Sequence, residues 1–274
     1  MQLKFAKMHG AGNDFVVLDG IDRPPALTPE QYRHLADRRF GIGCDQVLVL
    51  EPPAGGRAHA RMRIFNTDGS EAGQCGNGVR CAAEFLRRRG LAATPVVLET
   101  GDTIVEAYGL DGGWSVNMGC PEFDPVRIPL RVDGRRDTYR LALPGREVEF
   151  AALSMGNPHA VLVVPDVDAA PVAEIAPAIQ ASGMFPHGVN VGFMQVLDPG
   201  HVRVRVYERG VGETLACGSG ACAAVVAGIM NSGLAGEVDV GLKGGHLRVR
   251  WSGPGEPVWL TGPATFVFDG CIEL

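Results

Sequence analysis

Apolar residues recur at helical spacing directly after two cysteines that stand far apart in the chain. After Cys75, the positions with this spacing are Val79, Ala82, Ala83 and Leu86. After Cys217, they are Cys222, Val225, Val226 and Ile229. Such spacing places each set on one face of a helix. We therefore predict two helices that begin at the cysteines and end by Gly90 and Gly233.

Both cysteines lie in glycine-rich turns, with the sequences Cys75-Gly-Asn-Gly and Cys217-Gly-Ser-Gly. Backbone N–H groups at a helix start have no partner within the helix, and the helix dipole favours negative charge there. A cysteine at this position ionises more readily, so it can act as a thiolate base or nucleophile near neutral pH. The glycines also let a small anion approach the backbone closely.

The elements around the first cysteine recur in the same order around the second. In the first half we predict a buried strand within residues 8–19, a helix from Thr28, strands at 47–50 and 61–65, and closing strands near 96–99, 103–108 and 114–118. The matching segments of the second half are 156–162, a helix from near Asp168, 188–190, 202–207, 243–245, 247–251 and 259–262. The offset between matched positions is nearly constant and pairs Asn13 with Asn157, Asn66 with Glu208, and Cys75 with Cys217.

This long repeat indicates that the chain is two copies of one strand-rich unit with a central helix. Strands wrapped about an apolar helix form an α+β layer structure. The helix after Cys217 is apolar nearly all round, which is typical of burial on every side. We therefore predict an α+β fold of two pseudo-symmetric domains, each a β-barrel-like sheet wrapped around a central helix.

Composition narrows the class of protein. The 274 residues are 46% hydrophobic and carry a net charge of −6, which allows a real core and argues against a nucleic-acid surface. The first residues lack an apolar segment of secretory length, and the longest apolar run, 221–230, is too short to span a bilayer. We expect a cytoplasmic protein that does not bind a membrane. Its seven cysteines are then thiols, and without a Cys-x-x-Cys pair we expect no metal site.

Two equivalent thiols suit one reaction in particular. A pseudo-twofold axis places equivalent residues of duplicated domains opposite each other, so we expect Cys75 to face Cys217 across a bound ligand. One sulfur, as thiolate, would remove a proton from a carbon, and the other, as thiol, would deliver a proton to its opposite face, which inverts the stereocentre. Backbone N–H groups at the two helix starts would hold a carboxylate and stabilise the charge that develops on it.

The stretch Asn66-x-Asp-Gly-Ser-x4-Cys75-Gly-Asn-Gly-x-Arg80 resembles the signature of the diaminopimelate epimerase family. Other motifs of that family resemble segments 9–15, 156–159, 207–209 and 216–220. The resemblance implies a cofactor-independent epimerase that interconverts LL- and meso-2,6-diaminopimelate in lysine and peptidoglycan precursor synthesis. It also implies a homodimer, one domain of residues 1–118 to which 264–274 return, and a second domain of residues 119–263.

The resemblance also assigns roles to residues. It makes Cys75 and Cys217 the acid/base pair, with His159 and Glu208 as polar groups that support the thiols. The residues that it implies for substrate binding are Asn13, Gln46, Asn66, Gly76, Asn77, Asn157, Asn190, Glu208, Arg209, Gly218 and Ser219.

The residue chemistry agrees with a diamino diacid as substrate. The distal end of such a molecule needs an arginine for its carboxylate, which Arg209 can supply, and acceptors for its ammonium. The side-chain oxygens of asparagines can accept from that ammonium. No phosphate loop or dinucleotide fingerprint stands out, so we expect no nucleotide and no other cofactor.

Other interpretations remain open at this point. The chain is alternatively a proline-racemase-like enzyme or another isomerase of this design, a non-catalytic anion- or amino-acid-binding module, or a redox switch based on a Cys75–Cys217 disulfide. His159 is alternatively a turn residue after a proline, and Glu208 a solvated loop charge. The remaining cysteines read as small core residues.

Overall fold

A computed structural model describes residues 2–73 and 75–274, which form two compact units. The first unit runs to Asn117 and also contains Thr261–Leu274, and the second is Met118–Leu260. Each unit contains one long helix and a sheet, and we describe each by itself. Among the described residues, no helix is both long enough and apolar enough to cross a bilayer.

Up to Asn117, the elements of the first unit are β1 (Gln2–Gly10), β2 (Asn13–Asp19), α1 (Pro29–Ala36), β3 (Gln46–Glu51), β4 (Ala60–Asn66), β5 (Glu71–Ala72), α2 (Gly76–Arg88), β6 (Val96–Thr100), β7 (Thr103–Leu110) and β8 (Gly113–Asn117). Those of the second unit are β9 (Tyr139–Leu143), β10 (Arg146–Ser154), β11 (Pro158–Val163), α3 (Val172–Ala181), β12 (Asn190–Asp198), β13 (His201–Glu208), β14 (Gly212–Thr214), α4 (Gly218–Asn231), β15 (Glu237–Leu242) and β16 (Gly245–Arg250). Two further strands are β17 (Trp259–Gly262) and β18 (Thr265–Glu273).

In the first unit the sheet surrounds α2. Strand β1 is antiparallel to β2 and β18, β2 is parallel to β3, β3 is antiparallel to β4, and β4 is parallel to β6. The strands β6, β7 and β8 follow as an antiparallel meander. Helix α2 packs against β1 to β4, against β6 to β8 and against β18. The predicted sheet around a central helix is therefore confirmed for this unit.

The second unit repeats this topology. Strands β10, β11, β12 and β13 pair as β1 to β4 do, with the single parallel pair again in the middle. Strand β13 is parallel to β15, which is antiparallel to β16. Helix α4 packs against β10, β11, β12, β13 and β16, and its residues from Gly220 to Gly228 are all buried. The prediction that this helix is buried on every side is confirmed.

Local sequence signals explain how helices α1, α2 and α4 begin. The Thr28 hydroxyl accepts from the Gln31 N–H, and the Gln31 side chain accepts from the Thr28 N–H, with Pro29 at the first helical position. This arrangement is a capping box, as the sequence predicts. Both long helices begin with a cysteine as N-cap, Cys75 for α2 and Cys217 for α4.

Two predicted boundaries are wrong, and several strands were not predicted. Helix α3 begins at Val172 and not near Asp168, because the Asp168 carboxylate pairs with Arg203 at 2.8 Å and does not cap the helix. Residues 243–244 form the turn between β15 and β16, where we predicted a strand. The sequence interpretation also missed β1, β9, β10 and β15, of which β9 and β15 are short and lack a long apolar run.

Candidate active site

Three neighbouring strands of the first unit bring amide side chains to one end of its sheet. Asn13 begins β2 and Gln46 begins the parallel strand β3, so both lie at the same end. Asn66 ends the antiparallel strand β4 and pairs directly with Gln46. The Gln46 side-chain Nε2 donates to Asn66 Oδ1 at 2.9 Å. The pairing register therefore gathers residues that are far apart in the sequence.

Cys75 lies beside these amides as the N-cap of α2. Its sulfur accepts from the Gly78 N–H at 3.4 Å and lies 3.8 Å from Asn13 Oδ1. Asn77 Nδ2 donates to the same Asn13 oxygen at 3.2 Å. The N–H groups of Gly76 and Asn77 belong to the unpaired first turn of the helix, which suits a carboxylate ligand. The first unit thus combines a thiol with a set of oriented amides.

The second unit repeats this arrangement with different side chains. His159 on β11 pairs with Asn190 at the start of β12, and Glu208 ends the antiparallel strand β13. The backbone N–H of Arg209 donates to Asn190 Oδ1 at 2.9 Å. The Arg209 guanidinium donates to the His187 carbonyl at 2.6 Å. At the position that matches Asn66 of the first unit, this end of the sheet therefore carries the carboxylate of Glu208.

Cys217 is buried and paired with a carboxylate. Its thiol donates to Glu208 Oε2 at 3.1 Å, and the Thr214 hydroxyl donates to Glu208 Oε1 at 2.6 Å. Burial raises the pKa of the Cys217 thiol well above its ordinary value, and the charge of Glu208 and its hydrogen bond raise it further. Ser219 Oγ lies 3.7 Å from the sulfur. This arrangement favours the protonated form of the Cys217 thiol.

His159 is a neutral group in this site. It is 1% exposed, and burial lowers its pKa to about 3. Its Nε2 lies 2.9 Å from Asn157 Oδ1. Because that oxygen can only accept, the contact requires the hydrogen on Nε2. His159 is therefore neither a solvated nor a charged turn residue, and it fixes the orientation of the Asn157 amide.

The structure brings together the predicted site residues of each unit. At the sheet end and helix start of the first unit lie Asn13, Gln46, Asn66, Cys75, Gly76 and Asn77. At those of the second unit lie Asn157, His159, Asn190, Glu208, Arg209, Cys217, Gly218 and Ser219. Within the described parts of the chain, no group of three His, Cys, Asp or Glu side chains is arranged to hold a metal ion.

Sequence reasoning missed three side chains that contact these residues. Thr214 holds the second oxygen of Glu208. Arg80 donates to Asn77 Oδ1 at 2.8 Å, and Asp45 accepts from Asn13 Nδ2 at 2.9 Å. Arg80 is part of the quoted signature, and Asp45 and Thr214 lie within a few residues of Gln46 and Cys217, so proximity in the sequence was the available signal. Neither periodicity nor spacing predicts which neighbour such a side chain contacts.

Solved structures of low sequence identity share this fold along nearly the whole chain. A hydroxyproline epimerase from Agrobacterium vitis, solved with bound trans-4-OH-L-proline, superposes with a TM-score of 0.73 and 17% identity over 99% of this chain and 92% of that one. A PhzF-family phenazine biosynthesis protein from Bacillus anthracis superposes with a TM-score of 0.71 and 16% identity over 100% of both chains. At such identity the likeness describes the fold.

Relatives of higher sequence identity define the class of enzyme more closely. An epimerase from Nitrosospira multiformis is 53% identical over 100% of this chain and 99% of its own length, and its name is diaminopimelate epimerase. The protein of the same name from Halorhodospira halophila is 56% identical over 99% of this chain and 96% of its own length. Together with the shared fold and the cysteine at each long helix start, this identity defines the chain as an isomerase of the racemase and epimerase class. The family model of diaminopimelate epimerase matches residues 5–123 and 151–267, and the chain belongs to that family.

Proposed function

We propose that the protein interconverts LL- and meso-2,6-diaminopimelate without a cofactor, in the diaminopimelate route of lysine biosynthesis. Family membership supports the substrate and the reaction. The observation that carries the chemistry is that each unit has a thiol at a helix start, with Cys217 held as a protonated thiol by burial and by Glu208.

The proposed reaction is a two-base proton transfer at one α-carbon. The Cys75 thiolate takes the α-proton, so a C–H bond breaks and an S–H bond forms. The Cys217 thiol gives its proton to the opposite face of the carbon, so an S–H bond breaks and a C–H bond forms. The enzyme is left with the two protonation states exchanged, which is the state that the reverse reaction uses. The two cysteines therefore titrate as a coupled pair.

The charged ends of the substrate have separate proposed partners. Backbone N–H groups at the starts of α2 and α4, at Gly76, Asn77, Gly218 and Ser219, hold the carboxylate at the reacting carbon and stabilise the negative charge that develops there. Arg209 binds the distal carboxylate. The distal ammonium needs acceptors, which Asn66, Asn157, Asn190 and Glu208 supply as side-chain oxygens.

Solvent exchange tests the function directly. In heavy water, LL-diaminopimelate should gain deuterium at an α-carbon while meso-diaminopimelate accumulates, without added pyridoxal phosphate. The measurement is the loss of the α-proton signal in NMR together with chromatographic separation of the stereoisomers. Proline and hydroxyproline serve as control substrates, because exchange into these and not into diaminopimelate would assign the chain to a different isomerase. Absence of exchange in every substrate would favour a binding module.

Gly188→Ala tests the role proposed for Arg209. Gly188 has a positive φ of 77°, and an added Cβ would overlap the Arg209 side chain. We expect KM for diaminopimelate to rise about tenfold with a smaller change in kcat, because a displaced guanidinium weakens substrate binding. Gly183→Ala is the matched control, since its φ is 76° and a Cβ there meets no described atom within 4 Å. An equal rise in KM for both variants would contradict the assignment.

Three further properties belong to the same proposal. The two units are proposed to be the two domains of the enzyme. We also propose a homodimer, which sedimentation equilibrium would test, and a candidate surface is β18, where Val267 and Phe268 are about half exposed. A cytoplasmic location fits an enzyme that needs reduced thiols, and fractionation of the cells that make it would test this.

A further inference from the structure

The loop before β3 contacts the Cys75 site through one carboxylate that the proposed reaction does not use. Asp45 Oδ2 accepts from Asn13 Nδ2 at 2.9 Å and from the Asp14 N–H at 3.2 Å. Asp45 Oδ1 accepts from Arg38 at 2.8 Å. Both oxygens of Asp45 therefore face donors, and one of these donors is the side chain that lies against the Cys75 sulfur.

The contacts form a chain of hydrogen bonds with a fixed direction. Arg80, which can only donate, donates to Asn77 Oδ1, and Asn77 Nδ2 donates to Asn13 Oδ1. Asn13 Nδ2 then donates to Asp45, which as a carboxylate can only accept. With a pure donor at one end and a pure acceptor at the other, each amide in between has one satisfactory orientation. The Asn13 oxygen, and not its NH2 group, therefore lies 3.8 Å from the sulfur.

We propose that Asp45 is a positioning residue for Cys75, which holds the Asn13 amide so that its oxygen faces the thiol. This inference rests on the proposed function only for its relevance to catalysis, because the contacts themselves involve no substrate. An oxygen acceptor near the sulfur favours the S–H form, whereas the Gly78 N–H at 3.4 Å favours the thiolate. Asp45 thus supports the contact that favours the S–H form of Cys75.

In the second unit, a different hydrogen bond orients the equivalent asparagine. Asn157, which matches Asn13 in the repeat, has its oxygen engaged by His159 Nε2 at 2.9 Å. The residue that matches Asp45 there is Val189, which is buried and has no polar side chain. The carboxylate therefore has no counterpart in the second unit. It lies in the unit where Asn66 occupies the position that matches Glu208.

Asp45→Asn has a predictable effect on this chain. An asparagine at 45 must turn its NH2 group toward one of the two donor sides. The charged Arg38 retains the oxygen, because a hydrogen bond to a charged donor is the stronger one. The NH2 group then faces the donors of Asn13 and of the Asp14 backbone, so the Asn13 amide loses its acceptor and is no longer held with its oxygen against Cys75. We expect the thiolate form of Cys75 to become more populated.

Other charged and titratable groups surround this site and must be kept constant. Arg38 also binds Asp14 at 2.7 Å, and Lys7 on β1 binds Asp14 at 2.6 Å. Burial alone would raise the pKa of Asp14, but the hydrogen bonds of Arg38 and Lys7 lower it to about 2. Arg80 lies on α2, and His9 lies opposite Asp14 on β1. All of these remain in the Asp45→Asn variant.

The test is the rate at which iodoacetamide alkylates Cys75 as a function of pH, in the substrate-free protein. Trypsin cuts after Arg63 and Arg80, so Cys75 is the only cysteine of its peptide and mass spectrometry reads it alone. At pH 7 we expect Asp45→Asn to raise the rate about two- to tenfold, the range that one hydrogen bond explains. The whole pH profile should shift to lower pH. An unchanged profile would overturn the proposal.

A double-mutant cycle separates positioning from charge. Asn13→Ala alone should raise the alkylation rate by a similar factor, and Asp45→Asn added to it should change nothing more. If Asp45 acted only through its charge, its effect would persist without Asn13, and the proposal would fail. Asp14→Asn removes a carboxylate from the same cluster without touching the Asn13 side chain, so a rate increase equal to that of Asp45→Asn would also overturn it.

One measurement and one further variant keep the test valid if a substitution disturbs folding. Thermal unfolding of each protein shows whether the fold is kept, and Asp45→Ala replaces Asp45→Asn if that variant does not fold. The alanine variant also removes the acceptor and should raise the rate, by less than asparagine does. Because alkylation needs no substrate, a failure of the epimerase assignment would leave this result intact, and the two hypotheses fail separately.

Discussion

Cys217→Ala is expected to lower kcat/KM for diaminopimelate epimerisation by at least about a thousandfold, and Cys75→Ala by a similar factor. This loss corresponds to about 4 kcal/mol of barrier. Each variant removes one of the two groups that move the proton, and water is a poor substitute for a positioned thiol near neutral pH. The measurement is the initial rate of stereoisomer interconversion under saturating and limiting substrate.

The single variants should also separate proton exchange from inversion. Cys217→Ala keeps Cys75, which still removes the proton on its own face, so one stereoisomer should exchange with deuterium and return unchanged. Cys75→Ala should show the same behaviour with the other stereoisomer. Cys120→Ser is the control, since Cys120 has no proposed role. The expectation that it is a core residue is wrong, because Cys120, like Cys271, is exposed. Rapid inversion by either alanine variant would exclude a two-base mechanism.

The elements that carry the site were predictable because their signals are local. The helical spacing after Cys75 and Cys217, the glycines that follow each cysteine, and the capping box at Thr28 all lie within a few residues of the structure they determine. The repeat then predicted the common topology of the two units, because matched segments in matched order leave few other arrangements. The family motifs supplied the residue roles, which spacing alone does not.

Contacts across the sheet were not predictable in the same way. The bond between Gln46 and Asn66 depends on the register of β3 and β4, and that between Asn13 and Asp45 on a loop that returns to the start of β2. Short-range patterns do not determine such registers. The strand β15 was missed although Val238 and Val240 alternate with polar residues as in a half-buried strand, because residues 243–245 were matched to the repeat in its place.

Glu208→Gln is expected to lower kcat/KM about 10- to 100-fold at slightly alkaline pH and to move the alkaline limb of the pH profile to lower pH. Glu208 accepts the S–H bond of Cys217 at 3.1 Å, and its charge opposes ionisation of that thiol. Burial and this charge both raise the pKa of Cys217. Removal of the charge therefore lowers the pKa, although burial still keeps it above the ordinary value.

The direction of the shift follows from the proposed role of Cys217. As the acid it must be protonated, so activity is lost as pH rises through its pKa, and a lower pKa brings this loss to lower pH. Glu213→Gln is the matched control, because Glu213 lies on the adjacent β14 and pairs with Arg205 and Lys243. That variant should leave the alkaline limb in place. If the limb stayed fixed or moved to higher pH in Glu208→Gln, the carboxylate would not be the group that keeps Cys217 protonated, and its role would be confined to binding the substrate.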